Sequence, residues 1–177
     1  MKTERKKTNT NTTTKKTNTK STKMKLCSLS KKLHPEKNKK TCKCLALSCM
    51  DFRFVDDVTH LMNCNGNRNN YDKFILAGAS LGYNGIPGYK NWIQSFDQTV
   101  ELAHKLHKIS EITIIDHLNC GAFNLVYKPE ELKGDGEFNL HVENLKKAEK
   151  TLKEKYPFIK KVNKIIFDEK YKPIVID

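Results

Sequence analysis

The chain has 177 residues, a formal net charge of +13 and a hydrophobic fraction of 37%, which is low for a polypeptide that is globular from end to end. No run approaches the roughly 20 apolar residues of a membrane span, no apolar segment of about 7 to 15 residues marks a secretory signal, and no amphipathic Arg-rich helix marks a mitochondrial presequence. Membrane and exported classes are therefore set aside, and an intracellular, cytoplasmic location is expected, with a viral or organellar one left open.

The charge is uneven. Residues 1–40 carry 14 Lys and Arg against two acidic residues, a net of +12, whereas the remaining 137 carry 19 against 18, a net of +1. Residues 1–25 are almost wholly Lys, Thr, Asn and Ser, with nothing to bury against the entropy of ordering them. The sequence thus predicts a disordered basic arm and linker over 1–40 and one folded domain over 41–177. The arm has no aromatic residues for base stacking, so it fits a neutral tail or nonspecific polyanion contact better than sequence-specific recognition.

The first apolar run, Cys44-Leu45-Ala46-Leu47-Ser48-Cys49, reads as a buried parallel strand, and two more follow at 73–77 and 111–115. Between the last two, Ser95 and Gln98 are spaced as a capping box ahead of an apolar face of Phe96, Val100, Ala103 and Leu106. A second helix is expected over 137–156, where Phe138, Val142, Leu145, Leu152 and Tyr156 recur at helical spacing. Residues 162–167 and 173–176 then read as short strands. This alternation predicts an α/β fold: a compact sheet with a parallel βαβ core flanked by helices.

Two motifs sit at strand ends. Cys49-Met50-Asp51-Phe52-Arg53 follows the first strand and His117-Leu118-Asn119-Cys120 follows the third. Open parallel sheets gather ligands outside the carboxyl ends of their strands, so the motifs converge. Two thiolates and an imidazole are a tetrahedral zinc set with a fourth position open to water or substrate, which makes Cys49, His117 and Cys120 the expected metal ligands and Zn2+ the expected cofactor. Six cysteines in a chain without an export signal favour reduced thiols, consistent with that use. If strand geometry persists past Cys49, Asp51 and Arg53 share a face, and the guanidinium forks onto a carboxylate that stays ionised. Such a carboxylate either orients a metal-bound hydroxide or swings onto the metal and blocks it. The two thiolates offset the zinc charge, so a working optimum on the alkaline side is expected.

C-x-D-x-R followed by H-x-x-C-G, each after an apolar strand, closely resembles the β-class carbonic anhydrases over about 44–122. The resemblance implies zinc on Cys49, His117 and Cys120, a catalytic Asp51-Arg53 dyad, reversible hydration of carbon dioxide to bicarbonate, and a homodimer or higher oligomer with sites near subunit boundaries. Relatives on this scaffold hydrolyse carbonyl sulfide or carbon disulfide, which is the alternative activity; a non-catalytic zinc-stabilised binding protein is the alternative class. Two departures stand out. Asp116 occupies the place before the ligand histidine where the family usually has glycine, and Ala77-Gly78-Ala79-Ser80 stands where it typically reads Ala-Gly-Asn.

Gly78-Ala79-Ser80-Leu81-Gly82 also matches the G-x-S-x-G nucleophile elbow of serine hydrolases, but the chain is short for that fold and the zinc reading already uses His117. Cys27, Cys42, Cys44 and Cys64 read as buried small hydrophobes or exposed thiols, although Cys42 and Cys44 could form a weak second site with Cys49. His104 and His107 read as a solvated helix face, and the sequence identifies no partner for His34, His60 or His141. Trp92 and the stretch from Tyr83 to Tyr89 are expected to form a loop over the sheet or a subunit contact.

Overall fold

A computed structural model describes residues 39–177. The basic arm lies outside them, apart from its last two residues. Five strands form one sheet in the order β2-β1-β3-β4-β5: β1 (Cys44–Cys49), β2 (Tyr71–Leu76), β3 (Glu111–His117), β4 (Lys161–Phe167) and β5 (Pro173–Ile176). The first four are parallel and β5 returns antiparallel on β4. The α/β expectation holds.

The sheet is wound on both faces because its central strands alternate two buried sets. Leu45 and Leu47 of β1 and Ile112 and Ile114 of β3 point to a core with Phe96, Val100 and Ala103 of α3 (Asn91–His107) and Leu145, Ala148 and Leu152 of α5 (Gly136–Lys155). Cys44, Ala46 and Ile115 point the other way, onto Val58, Leu61 and Met62 of α1 (Val55–Met62). Burial on both faces is why β1 and β3 read as continuous apolar runs.

The α3 start needed correction. The helix begins at Asn91, so Ser95 and Gln98 lie inside its first turns, and the side chain of Lys90 makes no cap hydrogen bond. Phe96, Val100 and Ala103 are buried as expected, but the next place on that stripe belongs to His107, and Leu106 is exposed. Two further short helices, α2 (Ser80–Asn84) and α4 (Gly121–Val126), follow β2 and β3.

The chain passes from β1 outward to β2 and then back across β1 to β3, so strand order reverses between β1 and β3. A crevice opens at the carboxyl ends of such a pair because the two crossovers diverge. Cys49 and His117 end those two strands. Among the described residues, no helix is long and apolar enough to cross a membrane.

Candidate metal centre

The β1–β3 crevice gathers Cys49, His117 and Cys120, whose donor atoms all lie within 4.8 Å of one another. Cys49 Sγ is 3.9 Å from Cys120 Sγ. Zn–S bonds of about 2.3 Å in a tetrahedron place two sulfurs about 3.8 Å apart, so the thiols stand at the spacing a zinc ion requires. His117 is buried, and its Nδ1 sits 2.8 Å from the Leu118 carbonyl, which can only accept. Nδ1 therefore carries the proton and Nε2 presents its lone pair to the crevice. That buried Nε2 has no hydrogen-bond partner among the described residues. An orphaned imidazole nitrogen facing two sulfurs fits a cation and is otherwise costly.

Neighbouring groups hold the set in place. The Phe54 ring stacks on His117 at 4.3 Å between centroids. Gly78 donates its N–H to Cys49 Sγ at 3.3 Å. A hydrogen bond from Cys120, against the cost of burial and with His117 and the Gly78 N–H assisting, holds the Cys49 thiol down to about 4. Cys120, which donates to that anion and is itself buried, is pushed up. Burial opposes charge on His117, but the Cys49 thiolate and the Leu118 carbonyl shift it upward on balance.

Asp51 and Arg53 do meet, though not by the route expected from a continuing strand. β1 ends at Cys49, and Asp51 caps a 3₁₀ turn over Phe52–Phe54, accepting Arg53 N–H at 3.0 Å. The Arg53 guanidinium then folds back as a fork, Nε on Oδ1 at 2.9 Å and Nη2 on Oδ2 at 2.6 Å. Nη2 also reaches the Asn119 carbonyl at 3.0 Å, tying the Asp51 turn to the loop that carries Cys120. The bonds from Arg53 hold the Asp51 carboxyl down to about 2. Its Oδ2 lies 3.7 Å from His117 Nε2, at the edge of the three-donor set.

A family described as "Putative carbonic anhydrase" matches residues 39–177. The chain belongs to this β-carbonic anhydrase-like family. An uncharacterized protein of Rickettsia bellii is 38% identical over 117 residues, covering 66% of this chain and 71% of its own length. A second uncharacterized protein, from Rickettsia conorii, is 37% identical over 117 residues, and the match spans 66% of this chain but only 62% of that relative. Among solved structures, tetrameric β-carbonic anhydrases from Sordaria macrospora give a TM-score of 0.51 at 14% identity, covering 77% of this chain and 81% of theirs. A carbonic anhydrase from Glaciozyma antarctica gives 0.50 at 14%, covering 80% and 87%. At such identity these structures show the fold.

Sequence reasoning missed how this family member uses Asp116. The side chain is buried and accepts from Ser80 N–H at 3.0 Å, from the Ser80 hydroxyl, and from His141 Nδ1 at 2.9 Å. His141 Nε2 faces Glu137 Oε1 at 3.7 Å, and the same oxygen accepts the Cys120 N–H at 3.0 Å. A polar chain thus runs from the β2–α2 turn, past the residue preceding His117, to the backbone of Cys120. The i, i+4 spacing of Glu137 and His141 on α5 is the one signal that could have given His141 a partner, and it was missed. Ser80 is no nucleophile: it is fully buried and spends its hydroxyl on Asp116, while His141 bonds that carboxylate instead of the serine.

His104 donates from Nδ1 to the Ile109 carbonyl and stacks on Phe158, so it does not form a site with His107. Tyr83 is buried against Phe96 and bonded to Asp97, which corrects its assignment to a covering loop. The Tyr89 and Trp92 rings pack in a tilted pair, 4.4 Å between centroids, beside a surface cavity.

Proposed function

We propose that the chain is a zinc-dependent carbonic anhydrase that interconverts carbon dioxide and bicarbonate, with Cys49, His117 and Cys120 as metal ligands and Asp51 and Arg53 as the catalytic pair. The observation that carries this reading is the buried His117 Nε2, without a hydrogen-bond partner among the described residues and facing two sulfurs at tetrahedral spacing, with an ionised carboxylate 3.7 Å away. Zinc bound there supplies Lewis-acid polarisation that makes water a nucleophile near neutral to alkaline pH. Asp51 Oδ2 accepts a hydrogen bond from the attacking water and so aims its lone pair at the substrate carbon. Held down to about 2, this carboxylate orients the water without taking its proton, which leaves to bulk buffer. Arg53 fixes the carboxylate by its fork and fixes the Cys120 loop through Asn119, so one side chain sets the distance between water-orienting and metal-binding groups.

A homo-oligomer belongs to the same reading. Met50, Phe52 and Val55 are exposed apolar side chains flanking Asp51 and Arg53, and the Sordaria macrospora relatives are tetrameric.

Stopped-flow carbon dioxide hydration on zinc-saturated full-length chain tests the proposal. The expected result is turnover that rises toward alkaline pH, falls about 100-fold in Asp51→Ala with zinc content unchanged, and is lost in Cys49→Ser together with the ion held by the Cys49 cluster. Silence of the verified zinc-loaded wild type across the pH range would overturn it. Faster turnover of carbonyl sulfide or carbon disulfide, linear electrophiles of similar shape, would replace carbon dioxide as the substrate.

A further inference from the structure

The sheet has a second constellation of sulfur, nitrogen and oxygen donors at its other end. Cys42 lies two residues ahead of β1, Asp72 is the second residue of β2, and His107 is the last residue of α3. Asp72 Oδ2 lies 2.8 Å from His107 Nδ1 and 3.5 Å from Cys42 Sγ, and the three donor atoms all fall within 4.8 Å of one another. At about 3.3 Å of rise per residue, the run from Cys42 to Cys49 separates this group from the Cys49 cluster by roughly 20 Å.

Backbone hydrogen bonds fix the three elements to one another at this point. Cys42 N–H donates to the His107 carbonyl at 2.9 Å, and Lys43 N–H donates to the Asn70 carbonyl at 3.1 Å, just ahead of β2. The approach to β1 is therefore stapled to the end of α3 on one side and to the start of β2 on the other. The side chains converge because the backbone is held, which is the preorganisation a metal site requires.

We infer that Cys42, Asp72 and His107 form a second metal site, for zinc or another divalent transition-metal ion, at the amino ends of β1 and β2. The donor set selects this class of ion. Thiolate and imidazole are ligands for zinc, cobalt, nickel and copper, whereas calcium and magnesium ask for oxygens alone. A thiolate and a carboxylate offset the dipositive charge, and three protein ligands leave a fourth tetrahedral position. That position faces a cavity of about 200 Å³ bordered by Lys39, Lys40 and Asn69 as well as the three donors. The lysines oppose a free cation in the cavity, which places the ion among the donors and suits water or an anion as its fourth ligand. An ion pair between Asp72 and His107 alone would leave the convergence of Cys42 on the same carboxylate oxygen without a use.

The test is metal stoichiometry by elemental analysis on the full chain after zinc saturation and removal of loosely held ion. About two equivalents are expected in the wild type, falling to about one in Cys42→Ser and in His107→Asn. In Cys49→Ser, which attacks only the carboxyl-end site, the amino-end site still retains about one equivalent, so failure of the catalytic reading does not decide this one. Cobalt substitution in that background is expected to give a thiolate charge-transfer absorption that disappears with Cys42→Ser. Circular dichroism verifies that each variant is folded before its metal is counted. A folded wild type that holds one equivalent, all of it lost in Cys49→Ser, would overturn the inference, as would unchanged stoichiometry in folded Cys42→Ser and His107→Asn.

Discussion

Asp116 stands one residue before His117 and carries three donors on one buried carboxylate, so its neighbours depend on its charge. His141 is the counter-charge. Burial works against its protonation, but Asp116 and then Glu137 outweigh that cost and lift it from 6.5 to about 9. A histidine raised on folding contributes stability that is fully present below its unfolded value and is lost as pH climbs through its folded value. Thermal unfolding of the full chain is therefore expected to show a melting temperature that falls between pH 6.5 and about 9, by about 3 °C for each kcal/mol lost. His141→Gln, which keeps one hydrogen bond to Asp116 but cannot take a proton, is expected to flatten that slope; an equally steep slope in the variant would remove His141 as its cause. The protein thus loses stability over the alkaline range in which turnover is expected to rise. At this scale the sequence exposed Cys49, His117, Cys120, Asp51 and Arg53 because each motif is local. It hid the role of His141, whose main partner lies 25 residues away on another element.

The turn between β2 and α2 shows how an element's geometry reaches the site. Gly78 has φ of +67°, a Cβ there would meet Ala122 Cβ at 3.0 Å, and its N–H is the one that reaches Cys49 Sγ. Gly78→Ala is expected to cost about 1–2 kcal/mol from the left-handed backbone, and to speed zinc loss to a chelator as the turn shifts off Cys49. Gly88→Ala is the comparison: φ is +89° there, with open space around the Cβ, so the strain is similar while zinc release should not change. Equal chelation rates in Gly78→Ala and wild type would show that the N–H to Cys49 contributes nothing to retention. The long elements β1, β3, α3 and α5 were legible because burial imposes a period on them. α2 and α4, of five and six residues, are too short to display one and form because the chain must turn over the crevice. α1 does carry Val58, Leu61 and Met62 at helical spacing, yet its Asp56 and Asp57 broke the apolar run. The Asp51–Arg53 pairing was foreseen for a strand and is made by a capped turn, since two residues after Cys49 the backbone has already left the sheet.

For the whole molecule, the separation of charge bears on assembly. Nearly all of the +13 lies in residues 1–40, and the remainder is close to neutral, so copies of the folded part are not held apart by net repulsion. On that near-neutral surface Phe52 is 85% exposed and Met50 64%, either side of Asp51, with Phe52 inside the turn that aims it. An aromatic ring left in water at the rim of a site is stabilised by a second copy that covers it. The turn it belongs to is short and rests on Arg53, so covering Phe52 also rigidifies the carboxylate. Light scattering on the full chain is thus expected to give the mass of a dimer or larger assembly, shifting toward the monomer in Phe52→Ser. Carbon dioxide hydration should fall in parallel, with zinc content unchanged, because the proposed ligands lie on β1, β3 and the Cys120 loop and not on this turn. A monomeric wild type would remove the oligomer. A Phe52→Ser protein of unchanged mass would place the interface on another surface and leave Phe52 as a residue of the pocket mouth.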